Sequence, residues 1–405
     1  MRQGYSSLAN TGGSVLYPSE EGIMNIGMVT GSRSEWGLLF PLVREIVKRP
    51  EGHLDLYITG SHCSPAHGYT AAQVIEEVDA LDANAARFSV AMHLVETQMA
   101  GDSKLSVCET IGNTVAKFGD KLRFNELECL IVLGDRYESF AAATAAHILG
   151  IPIVHIHGGE VTEGAYDDAL RHSITKMSSL HLVATEPYGR RVVQLGENPD
   201  SVFNCGALGV EALDDYRNSA KKDGKSVIVI WHPVTLSEDL GMADLKAMMS
   251  VLYEKDFEYV IIAPNADNGR KEVDEVFMQF ARDNYQAVDY YNSLPRHEFL
   301  TKLASAKFII GNSSAGIIEA PALGVPTINV GSRQNGRMMA DSIYQADNAE
   351  DIDRCIKHMQ PDVFFMDSDI KCPYGRGGPV AKTMLDTILA NKHILTRRKV
   401  FYDLA

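Results

Sequence analysis

The sequence predicts an α/β protein built from two doubly wound, Rossmann-like domains with a cleft between them. Apolar runs such as Leu130 to Leu133 and Ile151 to Ile156 alternate with stretches of helix length, the pattern of a parallel sheet covered on both faces. This alternation occurs twice, on either side of a polar, charged stretch from Gly206 to Gly224. At 405 residues the chain is too long for one compact core, so two domains is the natural division. The expected units are 24–210 and 211–380, with a helical segment at 381–405 packing back across the first.

Composition narrows the class of partner. A hydrophobic content of 45% and a charged content of 22% are ordinary for a soluble globular protein. The 38 basic and 53 acidic residues leave a net charge of −15, which argues against nucleic acid or an anionic membrane as partner. A small anionic ligand stays compatible, because a few placed arginines and helix N-termini can hold it locally. No apolar stretch reaches the roughly 20 residues of a membrane span. The six cysteines include no CxxC pair, and buried thiols in a reducing cytoplasm are expected. Residues 1–23 are polar and rich in Gly and Ser, without the apolar segment of a signal peptide, and are expected to be a disordered extension.

The folded part begins with a strand at Met24 to Thr30, which runs into GSRSEWG (31–37) and a helix to about Lys48. A strand, a glycine-bearing loop and a helix make a phosphate-sized cradle of backbone N–H groups, with Arg33 inside it. The loop is not G-x-G-x-x-G, so a dinucleotide is not indicated. His53 to Thr59 is the second strand; helices near 69–79 and 103–122 flank a short strand around Phe88.

The central stretch, 130–176, carries the clearest site signal. One strand stops at Gly134-Asp135-Arg136, the next at His157-Gly158-Gly159-Glu160, and a helix starts near Asp167-Asp168 with Arg171 and His172 on it. Ligands of open α/β sheets bind beyond the carboxyl ends of the strands, and these charged residues stand there. Asp167 and Asp168 cannot both point one way from a helix; a simple helix cap is the alternative use for them. His155 and His157 alternate along the strand, which leaves His155 the better candidate for core packing. HxH as a metal pair lacks a third ligand at suitable spacing, and no metal is expected. Strands at Leu180–Thr185 and Val202–Cys205 bracket a helix at Pro187–Leu195 and complete the unit.

In the second half, strands are expected near 226–231, 259–263, 287–291, 307–311 and 326–330. Their tips carry His232 in WHPVT, Asn265 in PNAD, Ser313, Ser314 and Gly316 in GNSSAGIIEAP, and Arg333 with Arg337 in GSRQNGR. Small hydroxyl residues and glycine at a strand-to-helix junction let backbone N–H groups approach an anion, although Ser313-Ser314 as a plain cap is equally open. Glu319, one turn into the expected helix, would suit a ribose diol, and arginine forks at strand ends suit a pyrophosphate.

Taken together, GSRSEWG (31–37), SHCSPAHGYT (61–70), LGDRYE (133–138), HIHGGE (155–160), DDALRHSITKMS (167–178), RVVQLGENPDSVFNCGALG (191–209), WHPVT (231–235), PNAD (264–267), GNSSAGIIEAP (311–321) and GSRQNGR (331–337) resemble the UDP-N-acetylglucosamine 2-epimerase family. The match spans about 24 to 380 and is to the hydrolysing branch, which makes N-acetylmannosamine for sialic acid synthesis. The resemblance implies a GT-B-like architecture with the nucleotide sugar between the domains, a cytoplasmic enzyme, and a homo-oligomer (dimer or tetramer). It also places His62 near the sugar. The non-hydrolysing branch typically has glutamate where this chain has His157, and Ala-Gly for Gly158-Gly159; the departure favours hydrolysis. A close branch acts on UDP-2,4-diacetamido-2,4,6-trideoxyglucose for legionaminic acid, and the shared motifs do not separate the two sugars. A GT-B glycosyltransferase is the alternative class.

For such a substrate the C2 proton has no neighbouring carbonyl to acidify it. Departure of UDP from C1 builds oxocarbenium character that does. The expected course is elimination to UDP and 2-acetamidoglucal, then addition of water at C1 and of a proton at C2 from the other face. The growing charge on UDP needs Arg33, Arg136, Arg333, His232 and the Ser313-Ser314 turn, while Asp135, His157, Glu160, Asp167 and Asp168 are the candidates for moving the C2 proton. No cofactor is required, since no oxidation occurs.

Overall fold

The computed structural model describes residues 24–49, 52–65, 68–82, 90–99, 101, 103–264, 268–359, 371–396 and 398–404. The expectations for residues 1–23 and for Asn265 lie outside the described residues.

The first sheet has strands β1 (Met24–Thr30), β2 (Gly52–Thr59), β3 (Val90–Val95), β4 (Cys129–Leu133), β5 (Ile153–Ile156), β6 (Leu180–Val183) and β7 (Val202–Asn204). They lie in the order β3-β2-β1-β4-β5-β6-β7, all parallel. Helices α1 (Arg33–Val47), α2 (Ala71–Asp82), α3 (Lys104–Leu122), α4 (Tyr137–Leu149), α5 (Asp167–Met177) and α6 (Glu186–Gln194) make the crossovers. The second unit is entered through α7 (Leu213–Ser219). It has β8 (Ser226–Ile230), β9 (Glu258–Ile262), β10 (Val288–Tyr291), β11 (Phe308–Gly311), β12 (Thr327–Val330) and β13 (Ile343–Ala346), ordered β10-β9-β8-β11-β12-β13 and again parallel. Its helices are α8 (Met242–Tyr253), α9 (Arg270–Asp283), α10 (Arg296–Ser305), α11 (Glu319–Ala322) and α12 (Ala349–His358). After it, α13 (Val380–Ala390) returns to lie against α1, where Arg49 pairs with Asp386.

Both sheets reverse direction once, between β1 and β4 and between β8 and β11, and each reversal opens a crevice beyond the strand ends. Local sequence fixes these points. Ser32 caps α1 by accepting from the Glu35 N–H, and α4 buries Ala141, Ala142, Ala143, Ala145 and Ala146, whose small side chains let it lie close on the sheet. Gly311 has φ 135°, and a Cβ there would fall 1.9 Å from the Ile230 carbonyl oxygen, so β11 accepts only glycine where it meets β8.

The structure corrects several boundaries. The third strand is Val90–Val95, with Phe88 outside the described residues. The stretch expected to be a polar linker buries Leu208, Val210 and Leu213 and forms α7, because its few apolar residues dock where the two units meet. Strand β13 was not expected: its four residues, Ile-Tyr-Gln-Ala, are too short and mixed to stand out. Helix α13 stops at Ala390, and the chain beyond it lies along α5 and α6, with Lys399 donating to the Thr175 and Lys176 carbonyls. Cys108 is exposed, unlike the buried Cys129, Cys205 and Cys355. Among the described residues no helix is long and apolar enough to cross a membrane.

Candidate active site

The two crevices face each other across a cavity of about 330 Å³, lined by the tips of β1, β4 and β5 on one side and of β8, β9 and β11 on the other. That size suits a small molecule, with mixed polar and apolar walls.

On the first side the centre is a buried charge network. Arg171, reaching in from α5, pairs with Asp135, donates to the His157 carbonyl at 3.1 Å, and stands 3.7 Å from Glu160. Glu160 also accepts from Arg337 at 2.5 Å. Burial pushes the Glu160 carboxyl up, but Arg337, His157 and Arg171 outweigh it and hold the group below the usual carboxylate range. Its Oε1 is buried, with the His157 ring 3.3 Å away.

His157 lies just past the end of β5 with φ 65°, a left-handed conformation uncommon for residues other than glycine. The Leu208 N–H donates to its Nε2 at 3.2 Å, which leaves the ring proton on Nδ1, 3.3 Å from Glu160 Oε1. Burial holds the ring below the usual histidine range. His155 is indeed core-packed, bonded to Thr175 Oγ1 at 3.0 Å and to the Gly134 carbonyl at 2.8 Å.

Of the paired aspartates, Asp167 lines the cleft. Asp168 instead accepts from the Thr162 N–H at 2.7 Å and faces His172 at 3.5 Å, as a helix-start clamp does. Neither Asp168 nor His172 reaches the cavity lining. His62 is also set back: it is fully buried between Thr30 Oγ1 (3.1 Å) and Thr70 Oγ1 (2.7 Å), and burial lowers it to about 4. Ser61 and Thr70 line the cleft in its place.

On the second side His232, Ser313, Ser314, Glu319 and Arg333 line the cavity. Asn312 organises them: its Oδ1 accepts from the His232 N–H at 2.7 Å, its Nδ2 donates to the His232 carbonyl at 2.8 Å, and its own carbonyl accepts from Arg333 at 3.2 Å. The expected helix after Ser314 is replaced by a 3-10 turn, 314–316, and the four-residue α11. A long helix dipole is therefore missing there. Gly316 packs under β12, where a Cβ would meet Thr327 Cγ2 at 2.7 Å, and it does not face the cleft. Glu319 pairs with Arg296 at 3.4 Å, and burial raises its carboxyl.

Arg33 and Arg136 line the first side as expected, the latter paired with Glu138. Arg337 also lines the cleft, with its guanidinium held by the protein. It crosses the gap to Glu160 and to Thr162 Oγ1 at 3.2 Å. Sequence reasoning missed Glu35, Arg270 and Arg296, all of which line the cleft. Arg270 opens α9 three residues beyond PNAD, outside the motif itself; Arg296 opens α10, after a strand tip that carried no site signal; and Glu35 stood inside a motif read for its glycine and arginine.

Comparison with known proteins gives the family and the fold. The sequence model of one protein family, described as UDP-N-acetylglucosamine 2-epimerase, matches residues 44–388. The chain is 31% identical over 391 residues to a Campylobacter jejuni protein named GDP/UDP-N,N'-diacetylbacillosamine 2-epimerase (hydrolyzing), covering 94% of this chain and 99% of the relative. It is 36% identical over 326 residues to the Escherichia coli polysialic acid biosynthesis protein P7, covering 78% and 80%. Among solved structures, a Neisseria meningitidis UDP-GlcNAc 2-epimerase bound to UDP-GlcNAc superposes with a TM-score of 0.69 at 18% identity, over 91% of this chain and 100% of the other. At that identity the likeness is one of fold: two parallel sheets in the GT-B-like arrangement.

Proposed function

Since the chain belongs to the UDP-N-acetylglucosamine 2-epimerase family, we propose that it is the hydrolysing kind of enzyme, taking UDP-N-acetylglucosamine to UDP and free N-acetylmannosamine. A second reading, the same reaction on UDP-2,4-diacetamido-2,4,6-trideoxyglucose, is favoured by the name of the Campylobacter relative, and the first by that of the Escherichia relative. The same proposal includes a homo-oligomer working in the cytoplasm on a sialic acid-type pathway.

One observation carries it. A carboxylate and histidine network at the tips of β4 and β5 faces a hydroxyl, histidine and arginine set at the tips of β8 and β11, across a cavity of about 330 Å³. In this reading Arg33, Arg136, Arg333, His232 and the Ser313-Ser314 turn take up the negative charge that UDP gains as C1–O breaks. Asp135 and Asp167 are the carboxylates we assign to removal and return of the C2 proton. Glu160 is held ionised by its cations and makes a weak base, so its role is to steady the cationic sugar ring. His157 has Nε2 committed to Leu208 and keeps Glu160 in place. Asp168 and His172 support α5 from behind.

The test is incubation with each nucleotide sugar and no acceptor. The proposal expects UDP and a free sugar of manno configuration. A UDP-linked epimer would make the enzyme non-hydrolysing, and release of UDP only on addition of an acceptor would make it a transferase.

A further inference from the structure

Glu35 and Glu138 are two buried carboxyls set around one turn. Glu35 Oε2 accepts from the Gly31 N–H at 2.9 Å, and its Oε1 accepts from the Ser139 hydroxyl at 3.2 Å. A Cβ on Gly31 would lie 3.1 Å from Glu35 Oε2 and 3.2 Å from Glu138 Cβ, so both side chains crowd that glycine. Glu138 holds Arg136 in a two-pronged pair, with both N–O distances 3.2 Å. The other charged groups facing this corner are Arg33, from α1, and His62, beyond β2, the latter neutral between two threonines. Burial pushes the Glu35 carboxyl up to about 7, with Arg136 opposing the shift and Glu138 adding to it. If both glutamates were ionised, one buried negative charge would go unbalanced by Arg136, beside the cavity that Glu35 and Arg136 both line.

We propose that Glu35 is a positioning residue that must carry its proton while the cleft holds a diphosphate, the proton sitting on Oε1 with the Ser139 hydroxyl turned to accept it, so that Glu138 alone balances Arg136 and the Gly31–Arg33 turn keeps its shape. This rests on the reading of the cleft as a nucleotide-sugar site. The diphosphate of a UDP-sugar does not titrate near neutrality, so the pH dependence of its binding belongs to the protein. Ionised Glu35 places negative charge next to the ligand; KM therefore climbs with pH while kcat at saturation holds.

The experiment measures kcat and KM between about pH 6.5 and 8.5 for the wild type, Glu35→Gln and Glu35→Ala. Wild-type KM is expected to rise about 25-fold across the range, as the protonated fraction shrinks. Glu35→Gln, which keeps an acceptor for Gly31, should hold the low-pH value throughout; Glu35→Ala should show a raised KM at every pH. A Glu35→Gln enzyme that keeps the wild-type pH dependence, or binds poorly at all pH values, overturns the proposal. Calorimetry in two buffers of different ionisation enthalpy gives a reading that needs no turnover: binding of UDP at about pH 7.5 should take up about half a proton more in the wild type than in Glu35→Gln, the terminal phosphate of UDP titrating alike in both, and equal uptake contradicts it. Absence of turnover with both sugars sinks the functional reading instead, and the same calorimetric comparison of wild type and Glu35→Gln still decides the role of Glu35.

Discussion

Arg337, beyond the tip of the second sheet, donates to Oε2 of Glu160 at the tip of the first, at 2.5 Å, in a pair almost sealed from water. The residues are 177 positions apart, and both line the cleft. Replacing Arg337 by Met would leave Glu160 buried with a weaker set of cations. The expected cost is on the order of 3 kcal/mol, read as a fall in the urea midpoint. A variant as stable as the wild type contradicts the assignment of this pair as a structural clasp.

Gly164 marks how tightly the loops of the two units meet. A Cβ there would stand 2.6 Å from the Arg333 Cα, backbone against backbone. Gly164→Ala is expected to push the loops apart and reduce kcat/KM by about tenfold or more, because small displacements of positioned groups are costly. Gly112 on α3, with nothing within 4 Å of its would-be Cβ, is the control, and Gly112→Ala should leave turnover unchanged. Equal effects of the two substitutions would show that close approach at Gly164 is unimportant.

What the sequence made legible was the set of strand tips. Apolar runs that stop abruptly at Gly134-Asp135-Arg136 or Gly311-Asn312-Ser313 announce both a buried strand and the polar turn beyond it, so fold and site came from one signal. What it hid was partnership. The sign of Arg337 fits a phosphate as well as it fits Glu160, and only the fold brings that carboxylate to it. His62 looked like a sugar contact, yet Thr30 and Thr70 enclose it. Short elements that depend on packing, β13 and α7, carry too few residues to set a period.

Acidification should loosen the fold in a defined window. Burial lowers His62 to about 4 and holds His155, His157 and His181 below the histidine range. Their unfolded counterparts bind protons near pH 6.5, so between about pH 4 and 6.5 the unfolded chain holds more protons than the folded one. Stability therefore rises with pH through that window and levels off above it. His62→Gln should flatten part of the slope, by up to about 3 kcal/mol over the window, in urea titrations at a series of pH values. An unchanged slope would mean that His62 is not held neutral.

The most direct measurement is proton NMR of the reaction run in D2O, with UDP-N-acetylglucosamine and the diacetamido sugar offered separately. The account predicts that one of them yields UDP and a free manno-configured sugar carrying deuterium at C2, and that Asp135→Asn abolishes this while still binding UDP. Release of free sugar with protium retained at C2 would contradict it, because elimination across C1 and C2 cannot leave that proton in place.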